Sequence, residues 1–256
     1  MSCCRLCGAS TSFVKAHIIP EAFFRELRDD SEVPLLVSGV NGYFPKRTPI
    51  GVYDQEILCG SCEAKFLPAD TYGIDVLLTR FNHFFRPLQD AEKVVAFQGD
   101  AVDTAKLLEF FVSILWRASV SSHPFYNRVS LGPYESLAKG KLFALPPTIP
   151  CAFDAVLSRW DDSDDGILPT TALLDPHKER WGDINAYRFY LGKVVAYVKV
   201  DSRLFREPFA SLSLRAGTPC RLVSRRFSDS KDLKAMRKTV IVAEQNRQRF
   251  RAKQKS

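Results

Sequence analysis

Two Cys-x-x-Cys pairs constrain this 256-residue chain more than any other feature. The first pair is Cys4 and Cys7, the second is Cys59 and Cys62, and 51 residues separate them. Each pair can present two thiolates from one tight turn, and two such turns supply the four sulfur ligands of a tetrahedral zinc site. A redox dithiol gives the same string at a single pair, but two pairs, each beside a glycine, favour structural zinc.

The remaining cysteines fit the same interpretation. Seven cysteines, with four in metal spacing, are typical of a reducing compartment and not of a disulfide framework. Cys3, Cys151 and Cys220 are then predicted to be free thiols, although Cys3 is an alternative ligand to Cys4. No apolar run approaches the roughly 20 residues of a membrane span, and the chain starts without a secretory signal pattern. We therefore expect a cytoplasmic protein with no membrane partner.

The pattern of apolar residues predicts an α+β fold in three parts. Residues 1–75 form a small module around the cysteines, residues 76–228 form a mixed helix and sheet domain, and residues 229–256 form a basic C-terminal helix or tail. The segment 105–119 is apolar nearly all round and predicts a buried central helix. The segment 187–200 predicts two strands with a hairpin-like break in the middle.

Shorter segments complete the expected fold. Residues 12–19 favour a strand, and residues 20–27 favour a short helix with proline at its first position. A helix is predicted to begin near Cys62 and to stop near Pro68. Residues 134–142 favour another helix.

Positive charge is concentrated at the C-terminal end. The net charge of the whole chain is +7, but residues 221–256 carry 12 Lys and Arg against three Asp and Glu, so the first 220 residues sum to −2. A basic segment of this kind indicates a polyanionic partner, with nucleic acid first and an acidic protein surface second. A solvated helix that aids solubility is the alternative. The residues predicted to contact nucleic acid are Arg225, Arg226, Lys234, Arg237 and Lys238.

His17 lies inside the segment bounded by the cysteines and is followed by Ile-Ile-Pro. A lone histidine in an apolar setting is more often a buried, hydrogen-bonded residue than a catalyst. The residues around His17 in the sequence strengthen the case for a catalytic role. The segment that leads into the second cysteine pair reads Asp54-Gln55-Glu56-Ile57-Leu58-Cys59-Gly60-Ser61-Cys62-Glu63.

These strings resemble the HNH, or ββα-metal, endonuclease family, in the version that is stapled by four cysteines. The family pattern begins with a Cys-x-x-Cys. A strand follows that ends in His, and this His precedes Ile or Val, then any residue, then Pro. A Leu-Cys-x-x-Cys then leads into a final His and a helix. Here Asp54 stands where the family has Asn, Glu63 stands where it has the final His, and Ala16 replaces a common acidic residue. The resemblance covers about the first 75 residues.

The resemblance implies a metal-dependent endonuclease that hydrolyses phosphodiester bonds of DNA. His17 would be the general base that activates water, and Asp54 and Glu63 would bind one catalytic Mg²⁺ or Mn²⁺. Asp70 is a further carboxylate that could join them. Small enzymes of this type serve in bacterial restriction or other anti-phage defence, beside a partner ATPase or as homo-oligomers.

Two other interpretations remain open at this stage. Asp54 and Glu63 are also ordinary turn and helix-start acids, in which case the module has lost cleavage and is a zinc-stapled scaffold that binds nucleic acid or a partner protein. The third interpretation is a redox or metal-sensing dithiol protein. The sequence does not distinguish DNA from RNA as the target.

Overall fold

The computed structural model describes residues 3–25, 35–39, 43–44, 46–48, 50–142, 151–161, 172–214 and 219–253. The helices in these residues are α1 Glu21–Arg25, α2 Gly60–Glu63, α3 Leu67–Ile74, α4 Phe81–Phe84, α5 Thr104–Val120, α6 Tyr134–Leu142 and α7 Lys231–Lys253. The strands are β1 Ala16–His17, β2 Leu35–Val37, β3 Lys46–Arg47, β4 Tyr53–Asp54, β5 Arg86–Asp90, β6 Lys93–Gly99, β7 Phe153–Trp160, β8 Ala172–Leu174, β9 His177–Trp181, β10 Ile184–Leu191, β11 Val194–Val200 and β12 Cys220–Arg225. None of the described helices is long and apolar enough to cross a membrane.

A seven-stranded sheet in the order β5-β6-β12-β7-β11-β10-β9 organises the molecule. Neighbouring strands in this sheet are antiparallel, except for β12 and β7, which run parallel. The predicted α+β class is therefore confirmed. The hairpin of β10 and β11 is also confirmed, and its turn places Gly192 at a φ of 62°, a value that glycine adopts without steric cost.

Helix α5 covers one face of this sheet, as its apolar sequence requires. The helix starts after Asp103, whose carboxylate accepts the Lys106 N–H at 3.1 Å. Twelve of its 17 residues are buried. Alternate residues of β11, such as Val194 and Val198, lie in the same apolar cluster, so each strand turns one side-chain row towards α5. The predicted central helix is confirmed.

Helix α7 covers the opposite face. Its Leu233, Met236 and Ala243 pack on a cluster that includes Trp160 and Tyr197 of the sheet. The C-terminal segment predicted as a helix is therefore a helix docked on the sheet. It begins at Lys231 instead of after Ser228 or Asp229.

Ser230 explains where α7 begins. Its hydroxyl accepts the Leu233 N–H at 3.3 Å, which is the bond of an N-cap residue. Asp232 in the first turn is fully buried and accepts hydrogen bonds from Arg188, from the Tyr190 hydroxyl at 2.7 Å and from Arg225 at 3.2 Å. This carboxylate anchors the first turn of an otherwise basic helix to the sheet.

Two small sheets attach the N-terminal residues to this framework. Strands β1 and β4 form an antiparallel pair, and β2 lies between β3 and β8 in a three-stranded sheet. Asn246 of α7 donates to the Tyr43 carbonyl at 3.0 Å, and the rings of Phe44 and Phe250 lie 4.7 Å apart. The main buried cluster runs from Cys4 to Leu222, so it contains residues from both of the first two predicted parts of the chain.

One local expectation is wrong. The helical segment after Cys62 does not stop near Pro68 but continues through a 3-10 turn into α3 and a π-helical turn at Asp75–Thr79. Pro68 is accommodated because it lies at the start of α3, where a missing N–H costs no hydrogen bond. The β5–β6 hairpin follows α4, and β5 can include a proline because it is an edge strand.

The packing of α3 on α5 generates a matched pair of glycine substitutions. A Cβ at Gly73 would lie 2.5 Å from the buried Phe110 ring, whereas a Cβ at Gly140 of α6 would meet nothing within 4 Å. We expect Gly73→Ala to lower the free energy of unfolding by about 1–3 kcal/mol through overpacking. Gly140→Ala should raise it by about 0.5–1 kcal/mol because alanine favours helix. Urea unfolding of both variants measures the two effects, and equal values would contradict this packing.

Candidate functional site

Cys4, Cys7, Cys59 and Cys62 form a compact cluster. All four Sγ atoms lie within 4.8 Å of one another, and those of Cys7 and Cys59 are 3.9 Å apart. A tetrahedral site with a Zn–S distance of about 2.3 Å requires sulfurs about 3.8 Å apart. The predicted four-cysteine cluster is confirmed, and its geometry fits a structural Zn²⁺.

Backbone hydrogen bonds bring the two cysteine turns together. The Arg5 N–H donates to the Ile57 carbonyl at 2.8 Å, and the Val14 N–H donates to the Leu58 carbonyl at 3.1 Å. Cys59 precedes α2, and its carbonyl accepts the N–H groups of Cys62 and Glu63. The second pair therefore sits on the first turn of a helix, which sets the spacing of its two sulfurs.

Without a metal ion, the thiols of the second cysteine pair differ in pKa. A hydrogen bond from Ser61 is the largest of the effects that lower the pKa of Cys59 to about 6. Burial, reinforced by neighbouring sulfurs, raises the pKa of Cys62 to about 12. Four thiolates this close would repel each other without a positive charge among them, and a Zn²⁺ ion would supply that charge.

Cys3 lies outside the cluster. Its side chain is exposed, and its Sγ lies 3.6 Å from the Ser10 hydroxyl. Cys4 is therefore the ligand in the first pair, and the alternative of Cys3 is not supported. No cysteine forms a disulfide.

His17 lies on β1, directly opposite Tyr53 of β4. Its Nε2 is 3.1 Å from the Ile50 carbonyl, and its ring meets the edge of Tyr53 at a centroid distance of 5.8 Å. A carbonyl partner places the proton on Nε2, which leaves the lone pair of the neutral imidazole on Nδ1. Burial lowers the pKa of His17, although Glu21 and the Ile50 carbonyl partly oppose this effect.

Glu63, at the end of α2, is next to the backbone of His17. Its Oε2 is buried without a hydrogen-bond partner in the described residues, and the His17 N–H lies near enough to have a small lowering effect on the pKa of the carboxyl. Burial is the largest effect on this group and raises the pKa of Glu63 to about 6, although the charge of Arg117 opposes it. One oxygen of this half-buried carboxylate is therefore left for a ligand.

Arg117 on α5 holds this region together. Its fully buried guanidinium donates to both oxygens of Asp70, at 2.9 and 2.5 Å, and to the His17 carbonyl at 2.8 Å. It also lies over the Phe66 ring, 4.8 Å from the centroid. An arginine on an apolar helix indicates a buried acidic partner. Asp70 is that partner.

Asp54 occupies a different face of the β1–β4 pair. Ala16 is its cross-strand partner, so its side chain points away from that of His17, which pairs with Tyr53. Its carboxylate accepts the Glu56 N–H at 2.8 Å, the Ser121 hydroxyl at 2.7 Å and the Ser122 N–H at 2.9 Å. Burial raises the pKa of Asp54, but these hydrogen bonds outweigh it and lower the pKa overall.

The structure thus brings Glu63 to the His17 backbone and places Asp54 elsewhere. Among the described residues, the four cysteines are the one group of three or more His, Cys, Asp and Glu side chains close enough to share an ion. His17, Asp54 and Glu63 do not form such a group.

The residues predicted to contact nucleic acid divide into two kinds. Arg226, Lys234, Arg237 and Lys238 are exposed. Arg225 has only 27% of its side chain exposed, is 3.2 Å from Asp232 and covers the Trp160 ring at 4.6 Å. Arg225 therefore contributes to the interior under α7.

Comparisons of the chain with protein-family models, with curated proteins and with solved structures found no match. The function is therefore argued from the site itself.

The cysteine cluster generates a test of metal content. We expect about one zinc per chain, and Co²⁺ substitution should give the thiolate-to-metal absorption of a tetrahedral four-sulfur site. Cys62→Ser should lose the metal and lower the thermal midpoint, because structural zinc contributes folding energy. Cys3→Ser and Cys151→Ser are the controls and should retain full metal content. Loss of zinc in Cys3→Ser, with zinc kept in Cys4→Ser, would show that Cys3 and not Cys4 is the ligand.

Proposed function

We propose that this protein binds nucleic acid through the exposed face of α7, with the zinc-stapled N-terminal residues as part of the scaffold. The observation that carries the proposal is the one-sided charge of this helix. Its exposed cations are Lys231, Lys234, Arg237, Lys238, Arg247, Arg249 and Arg251, against one exposed acid, Glu244.

The spacing of these charges suits a phosphate backbone. Residues 231–251 span about 30 Å at 1.5 Å per residue. Arg247 lies 3.7 Å from Glu244, which leaves most of the cations without an acidic partner on α7. Neutralising phosphates releases condensed counterions, which supplies sequence-independent affinity.

The anchoring of α7 distinguishes it from a merely solvated helix. Asp232 holds its first turn on the sheet, and Asn246 holds its second half on Tyr43. The cations are therefore presented from a fixed element, and less conformational entropy is lost when a polyanion binds.

Salt dependence tests this proposal. We expect the logarithm of the association constant for duplex DNA to fall linearly with the logarithm of salt concentration. The triple variant Lys234→Ala/Arg237→Ala/Lys238→Ala should reduce that slope by about 2–3, at roughly 0.9 per phosphate contact. The matched control is Lys178→Ala/Arg180→Ala, which removes two exposed cations from β9. Equal slopes for wild type and the triple variant would refute a role for α7.

Phosphodiester hydrolysis by an HNH-type mechanism is the second candidate function. The unpartnered Oε2 of Glu63 beside the His17 backbone favours it. In this mechanism His17 would accept a proton from water through Nδ1, and Glu63 would hold a divalent cation. Such a cation, when bound, would supply electrostatic stabilisation of the leaving oxygen and of the charge that develops on phosphorus. Asp54 then supports the site by fixing β4 through its hydrogen bonds to residues 121 and 122.

Plasmid cleavage distinguishes the two candidates. If the site is catalytic, wild type nicks supercoiled plasmid with Mg²⁺ or Mn²⁺, and both His17→Ala and Glu63→Gln lose at least about 100-fold of the rate, as expected for removing a general base or a metal ligand. Zinc content should be unchanged in both variants, and His83→Ala, a change at an exposed histidine, is the control. DNA binding without nicking in Mg²⁺, Mn²⁺ or Ni²⁺ would refute catalysis and retain nucleic-acid binding as the function.

The wider setting stays a prediction. A role in anti-phage defence, a partner ATPase and self-association come only from the family resemblance.

A further inference from the structure

A groove of about 480 Å³ lies beside the cysteine-bounded residues and takes no part in the functions proposed above. One wall is β3, in the three-stranded sheet, and the other is β4 with the turn that follows it. Residues 122–124, after α5, also line it. Its volume falls in the range of about 300–1,000 Å³ that is typical of small-molecule sites, so it can hold one nucleotide but not a duplex.

The β3 wall is cationic. Lys46 and Arg47 make up this strand, and both side chains are exposed. β3 pairs with β2, which fixes the backbone that carries the two charges. Both residues line the groove, so this wall presents positive charge to an anionic group such as a phosphate.

The β4 wall carries aromatic and polar groups. The Tyr53 ring contacts the His17 ring in a T-shaped arrangement, and the Lys15 ammonium lies 5.2 Å from the Tyr53 centroid. Gln55 and Glu56 follow it and are exposed. An aromatic ring beside an amide and a carboxylate can stack a base and bond to its edge.

His123 adds a neutral donor to the groove. Its Nδ1 accepts the Phe125 N–H at 3.2 Å, so the proton of the neutral ring is on Nε2. Burial favours the neutral form, and the nearby Lys46 acts in the same direction although Asp54 opposes it. The imidazole therefore offers an N–H without requiring a charge.

The groove is also continuous with α7. Tyr43 lines the groove and accepts a hydrogen bond from Asn246, and Phe44 packs on Phe250. Lys46 and Arg47 follow only two residues later. Tyr43 therefore links the lining of the groove to the inner face of the helix that carries the exposed cations.

We infer that this groove binds one unpaired nucleotide of a single-stranded nucleic acid, with its phosphate at Lys46 and Arg47 and its base against Tyr53. This inference rests on the proposed nucleic-acid binding and adds a preference for single strands. The separation of phosphate-binding and base-binding walls carries it, because an anion alone needs no aromatic wall and a neutral ligand needs no paired cations.

Two measurements on full-length, zinc-loaded protein test the inference. The first is fluorescence anisotropy with a labelled DNA strand of about 12 nucleotides, within the usual site size, and with its duplex. The second is calorimetric titration with deoxyadenosine monophosphate and with deoxyadenosine, which does not involve α7. The variants are Lys46→Ala/Arg47→Ala and Tyr53→Leu. Their controls are Lys178→Ala/Arg180→Ala and Tyr53→Phe.

We expect wild type to prefer the single strand to the duplex. Lys46→Ala/Arg47→Ala should weaken single-strand binding about tenfold or more and abolish the preference for the monophosphate over the nucleoside. Tyr53→Leu should weaken single-strand binding about tenfold through lost stacking, whereas Tyr53→Phe retains it. The β9 control pair should behave as wild type in the titrations.

Failure of this inference and failure of the proposed function give different results. If the α7 triple variant loses affinity but the groove variants bind the single strand as the β9 control does, the groove inference is overturned and nucleic-acid binding stands. If no polynucleotide binds but the monophosphate binds in a Lys46- and Arg47-dependent manner, the proposed function fails and the groove remains a nucleotide site. If neither ligand binds, both are overturned.

Discussion

The Arg117 guanidinium is the interaction on which the N-terminal part of the structure depends. It has no exposure to water, and its donors are used by the Asp70 carboxylate, the His17 carbonyl and Ser113. A buried ion pair is costly to assemble but more costly to break, because the loss of one partner leaves the other charge in the interior at about 3–5 kcal/mol. β1, α3 and α5 are therefore fixed relative to one another by one side chain. The cysteine cluster fixes the other end of the same region, so His17 and Glu63 lie between two rigid attachments.

The same principle, with the charges reversed, operates under α7. There a buried carboxylate, Asp232, is surrounded by Arg188, Arg225 and Tyr190 on the sheet. Burying the one acid of the first turn leaves the outer face of the helix with almost uncompensated positive charge. The positive charge of the outer face of α7 therefore depends on the burial of Asp232.

Features with a local signature were predictable from the sequence. The four-cysteine cluster follows from the Cys-x-x-Cys spacing, α5 follows from an apolar run of helical length, and the β10–β11 turn follows from Gly192. The confirmed elements are those in which a short window contains the whole cause. The start of α7 was misplaced because Ser228, Asp229 and Ser230 are all acceptable caps and only the bond to Leu233 distinguishes them.

Features that depend on distant partners were not predictable. Arg117 and Asp70 are 47 positions apart, and Asp54 and Ser121 are 67 apart. Asp54 was interpreted as a metal ligand because it stands where the HNH family has Asn, and carboxylate oxygens suit Mg²⁺ or Mn²⁺. Only the register of β1 on β4 shows that its side chain and that of His17 leave opposite faces. The role of metal ligand remains a prediction for Glu63, whose Oε2 has no hydrogen-bond partner in the described residues. It has less support for Asp54, because both of its carboxylate oxygens accept hydrogen bonds.

The position of β12 has a consequence for how the chain folds. This strand is the last of the twelve along the described chain, yet it lies in the interior of the sheet, between β6 and β7. Until β12 is added, the sheet consists of two separate units, each with an open edge. One is the β5–β6 hairpin, and the other is the four neighbouring strands β7, β11, β10 and β9. Closing the gap requires contacts between residues more than 100 positions apart, which slows folding and leaves unpaired backbone available to other chains. A ribosome that stops before residue 220 would therefore release not a shorter version of this protein but two half-sheets prone to aggregation.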